Sequence, residues 1–226
     1  METENPNQRS QTMQPDSLLD AVKKTATALD LPWPTVQKIY RNLQEQDDFG
    51  TFWLPKSQGR KIWFAHPNFV TSIILAVGFS QSRLTAHQSA YLGHILTPNG
   101  RPVEITERAT PNYSIFIELM GDILTNPEKA GHVDKLTFSG GDKSVSIHFV
   151  TGETTNFALD GSFETSFGDD AFDSGILAAA GVETYSRTNF NVSIDGAAFV
   201  EIANTVTWKT AATPPFGMQK KVEAAS

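Results

Sequence analysis

Three observations predict an α+β protein: helices and a hairpin first, then a mixed α/β back half with antiparallel strands. Apolar residues recur at helical spacing through most of the first 125 residues. After Gly131 the period changes to two, as in Leu136/Phe138, Val145/Ile147/Phe149 and Phe190/Val192/Ile194. Turn chemistry separates these segments, notably Ser139-Gly140-Gly141-Asp142 and Thr151-Gly152-Glu153. At 226 residues the chain suits one large domain or two small ones and buries enough surface to need no covalent staple.

Residues 1–15 are rich in Gln, Asn, Thr and Ser and read as a disordered tail. Ser17, with Asp20 three positions on, caps a first helix through Leu29. Asp30-Leu31-Pro32 ends it, and Pro34 suits the first turn of a second helix reaching about Gln46. Val36, Ile39, Tyr40 and Leu43 make the inner face of that helix. Thr51-Phe52-Trp53-Leu54 and Lys61-Ile62-Trp63-Phe64 flank a Pro/Gly loop and predict a hairpin with both tryptophans on its outer face. Helices follow at Pro67–Val77, closed by Gly78, at Thr85–Leu96 and at about Asn112–Thr125, with Thr97-Pro98-Asn99-Gly100 as a break. A last helix begins at Asp195 and turns Phe199, Ile202 and Ala203 inward.

Charge divides the chain. Residues 1–100 carry nine Lys/Arg and eight Asp/Glu, residues 101–226 nine and seventeen. No carboxylate occurs from Phe49 to Val103, while Lys56, Arg60, Lys61, Arg83 and Arg101 do. Such a stretch in an acidic protein points to a surface facing an anion.

Helix, tight turn, helix and hairpin at these lengths resemble a winged helix-turn-helix of the bacterial or phage regulator type. Ala26 is small where the helices cross, Leu29 and Leu31 flank the turn, and Val36 and Ile39 sit at the buried positions of the second helix. The chain departs from the pattern at Asp30, in the usual place of glycine, at Thr25, in an apolar place, and in the prolines flanking Trp33. The division that follows is 16–80 as the DNA-binding domain, 81–130 as helical connector and dimerisation helices, and 131–226 as the α/β domain.

The resemblance makes the second helix, about Pro34–Gln46, the recognition helix, with Thr35, Gln37, Lys38, Arg41 and Asn42 toward double-stranded DNA. Gln37 has the donor–acceptor pair for adenine, and Arg41 or Lys38 the donors for guanine. Thr35 and the free amides at the helix start suit phosphate. Lys56, Ser57, Gln58, Arg60 and Lys61 in and beside the hairpin loop form the wing. Regulators of this kind act as homodimers on palindromic sites, and the apolar stripe from Ile115 to Ile123 and the acidic back half are the candidate dimer surfaces.

Enzyme readings find little support. Without cysteine there is no disulfide scaffold, thiol nucleophile or Cys-based zinc site. His87 and His94 stand seven apart, outside the spacing of a helical metal pair. Asp169, Asp170 and Asp173 lack the spacing of a calcium loop. Ser139–Ser144 reads as a hairpin turn, and no nucleophile–base–acid set emerges. The sequence therefore predicts a cytoplasmic, non-catalytic regulator without cofactor, metal or membrane span. Two other readings stand beside it: a protein-interaction or inhibitor module whose acidic back half docks on a basic partner, and a back half that senses a small ligand.

Overall fold

In the computed structural model, residues 14–47, 50–57, 62–82, 84–101, 115–159 and 190–209 are described. Helix α1 (Leu18–Ala28) starts where Ser17 accepts the Asp20 amide on its side chain. Helix α2 (Trp33–Leu43) starts at Pro32 with Pro34 in its first turn. Helix α3 (Pro67–Gly78) is capped by His66, and α4 (Ala86–Ile95) by a reciprocal Thr85–Gln88 box. Helix α5 (Phe116–Thr125) and the short α6 (Pro127–Gly131) lead into the sheet, and α7 (Gly196–Thr205) closes the described chain with Asp195 as its cap.

The five strands are β1 (Leu96–Pro98), β2 (Val133–Ser139), β3 (Ser144–Phe149), β4 (Thr154–Leu159) and β5 (Asn191–Asp195). Their order is β1-β4-β3-β2-β5, every pair antiparallel. Leu136, Phe138, Val145, Ile147, Phe157 and Ile194 face the helices in one core. Thr137, Ser146, Asn156 and Ser193 stand in register on the opposite face.

Helix α3 joins two cores because it is buried all round, from Phe69 to Gly78. Val70, Ile74 and Leu75 belong to the larger core with the sheet, α5 and α7. Phe69, Ile73, Ala76 and Val77 belong to a smaller one with α1, α2, Trp53 and Leu54.

A second junction ties the front of the chain to its back. Ser17 bridges Phe64, Leu18 N–H donates to Trp63 O (2.7 Å), and Ala65 N–H donates to Asp16 O (2.8 Å). Asp16 N–H donates to Thr207 O at 2.9 Å, and the Asp16 carboxylate accepts both the Thr207 amide and Lys24 Nζ at 2.7 Å. Lys209 N–H completes the ladder on Ala65 O (3.1 Å).

Several sequence expectations need correction. The two halves of the predicted hairpin are not paired with each other among the described residues. The amides of Trp53 and Leu54 both go to Leu43 O, so the chain turns across the end of α2. That turn sends Trp53 inward, 5% exposed, against the rings of Tyr91 and His94. Phe116, Met120 and Ile123 of the α5 stripe are buried in the protein's own core, which removes the stripe as a free dimer surface. The predicted break after α4 contains β1, which pairs with β4, a strand that sequence reading passed over. Leu29, expected to be buried at the end of the first helix, is only half-buried, and Phe190, at the start of its period-two run, is exposed. The predicted helix start at Asn112 and the cluster Asp169, Asp170 and Asp173 lie outside the described residues, and no described helix is long and apolar enough to cross a membrane.

Candidate nucleic-acid interface

The turn between α1 and α2 is closed by its backbone. Leu29 N–H donates to Thr25 O, Asp30 N–H to Thr27 O and Leu31 N–H to Ala26 O, all within 2.9–3.0 Å. Asp30 takes the left-handed conformation, with φ at 51°, which glycine adopts freely and Asp tolerates through local hydrogen bonding. Thr25, the other departure, is fully buried and satisfies its hydroxyl on Ala21 O at 2.9 Å. Ala26 is buried, and Trp33 packs half-buried against the smaller core as a plug for the turn.

The buried face of α2 is Val36, Tyr40 and Leu43, with Ile39 partly covered. Helical geometry then turns Thr35, Lys38, Arg41 and Asn42 outward, and all four are exposed; Gln37 is half-buried. Lys38 and Arg41 make no ion pair among the described residues. The helix start offers less to phosphate than expected: Pro34 has no N–H, and the Thr35 and Val36 amides both donate to Pro32 O. The Thr35 hydroxyl remains.

The far end of α2 is pinned from two sides. Gln44 Nε2 donates to Tyr40 Oη (3.0 Å) and to Pro55 O (2.8 Å), while burial raises the Tyr40 phenol pKa against that hydrogen bond. His87 Nε2 meets Asn42 O at 2.7 Å. Sequence reading set His87 aside as outside the spacing of a metal pair and had no signal for this contact, because its partner is a backbone carbonyl 45 residues away. Pro55, held by Gln44, brings exposed Lys56 and Ser57 beside the end of α2, where Trp63 Nε1 donates to Lys56 O (3.1 Å). Gln58, Arg60 and Lys61 of the predicted wing lie outside the described residues. Exposed Glu45 is a carboxylate next to this surface, whereas Asp47 uses its own to accept Thr51 N–H (2.7 Å) and Trp53 Nε1–H (3.1 Å).

Among the described residues no three His, Asp or Glu side chains are grouped to hold a metal ion. No protein-family model, curated protein or solved structure matches the chain.

Proposed function

We propose that the chain is a sequence-specific DNA-binding regulator of transcription that acts as a dimer, with α2 in the major groove and the Lys56 segment against the backbone. The observation that carries this reading is the outer face of α2, where Lys38 and Arg41 stand exposed, with no ion pair among the described residues, while Val36, Tyr40 and Leu43 anchor the other side. Arg41 supplies the fork that reads guanine, and Lys38 a point charge for phosphate or base. The run from Phe49 to Val103, which includes Lys56, holds no carboxylate, so that segment adds no repulsion of phosphate.

Selection of bound fragments from random duplex DNA tests the reading. An enriched sequence with two half-sites about one helical turn, roughly 34 Å, apart is the expected result. Recovery of unselected sequence at low salt, or of none, would overturn it.

A further inference from the structure

The sheet has two edges, and they differ in how they are closed to further strands. β1 is three residues long and ends in Pro98, which has no N–H to offer a neighbour. β5 is five residues, Asn191-Val192-Ser193-Ile194-Asp195, with no proline, lysine or arginine, and pairs on one side alone among the described residues. Asn191, Ser193 and Asp195 are exposed.

The register fixes which backbone groups face outward. Gly140 N–H donates to Phe190 O at 2.8 Å, so these two form a hydrogen-bonded pair of the β2–β5 ladder. Alternation then turns the N–H and C=O of Val192 and Ile194 toward β2, and the N–H of Asn191, Ser193 and Asp195 outward.

We propose that β5 pairs antiparallel with β5 of a second copy of this chain about a two-fold axis through Ser193, continuing the sheet across the dimer. The inference supplies the dimer surface that the DNA-binding reading requires and rests on that reading for its choice of partner. The strand is self-complementary at that axis. Ser193 meets its own copy, each giving an outward N–H and accepting on an outward C=O. The Asp195 N–H meets the partner's Asn191, an amide side chain stands beside a carboxylate at both ends, and no like charges oppose. On the core face Val192 lies against the partner's Ile194, which covers the half-exposed Val192.

The cysteine-free chain makes the test direct. Ser193→Cys places the single thiol of each copy at a facing pair about 5.5 Å apart between Cα atoms, within disulfide reach. Asn191→Cys sets the thiols roughly 14 Å apart along the strands. Oxidation of the full-length variants at micromolar concentration should convert most of Ser193→Cys, and little of Asn191→Cys, to a covalent dimer. Ser193→Pro removes an amide that the chain's own sheet does not use, and should sediment as a monomer where the unaltered chain sediments as a dimer. A monomeric unaltered chain, or equal cross-linking at 191 and 193, would overturn the proposal whether or not Ser193→Pro folds. A cross-linked dimer that selects no DNA sequence would leave the strand pairing standing and remove the DNA-binding reading alone.

Discussion

Gly78 lies so close to Phe138 that a methyl group on residue 78 would stand 2.5 Å from three carbons of the ring. The contact joins the end of α3 to β2 one residue before the strand ends, and Phe79 continues it with an edge-on approach to the same ring at 5.3 Å between centroids. Gly78→Ala forces that ring to move inside a filled core and should lower unfolding stability by about 1–3 kcal/mol, read as a shift in denaturant midpoint at constant slope. An unchanged midpoint would mean the ring has room to retreat.

For DNA, the two exposed cations on α2 should separate in kind. Lys38→Ala is expected to weaken binding evenly across sequences and reduce the log–log salt slope by about one. Arg41→Ala should cost about 1–3 kcal/mol on the preferred site and relax the choice of base there. Fluorescence anisotropy titrations at several salt concentrations, on selected and scrambled duplexes, distinguish the two effects.

The left-handed Asp30 gives a stability prediction of opposite signs. Asp30→Gly relieves the φ of 51° and should raise stability by up to about 1 kcal/mol, offset in part by a freer unfolded chain. Asp30→Val should lower it by about 1–2 kcal/mol. Thermal unfolding of the pair against the unaltered chain decides this, and the reverse order would show that the turn relaxes when residue 30 is changed.

His94, tilted against Trp53 with ring centroids 5.6 Å apart, has its pKa lowered by burial to about 4, and burial lowers that of His66 as well. A histidine held below its unfolded value near 6.5 favours the folded state fully above pH 6.5, and that contribution is lost as pH falls toward 4. For His94 the loss reaches about 3 kcal/mol at most. Denaturant midpoints between pH 7 and 4 should fall for the unaltered chain and fall less for His94→Gln. Parallel curves would place the acid sensitivity elsewhere.

The front helices were legible because two apolar positions per turn on α2 leave one choice of inner face, and exposure of Thr35, Lys38, Arg41 and Asn42 follows from it. The wing was not. Reading Thr51–Leu54 with period two assumed a strand, but the Trp53 and Leu54 amides share the Leu43 carbonyl, and a bent chain does not alternate. β4 escaped notice because Phe157 is its one fully buried residue and Thr154-Thr155-Asn156 open the strand with polar side chains. The α5 stripe was correctly seen as apolar, yet sequence alone cannot say whether such a stripe meets its own core or another molecule. His87 against Asn42 O and Asp16 against Thr207 join positions distant in sequence through backbone atoms, which leave no trace in residue type.

The bonds between Asp16 and Thr207 have a consequence for the order of assembly. While the chain emerges from the ribosome, the amide that the Asp16 carboxylate accepts is absent until position 207 has been added. The pair α1 and α2 therefore waits, with the underside of α1 unfinished, until 191 residues beyond Asp16 have been added. Synthesis halted short of α7 should yield a species in which the earliest residues exchange their amide hydrogens fastest.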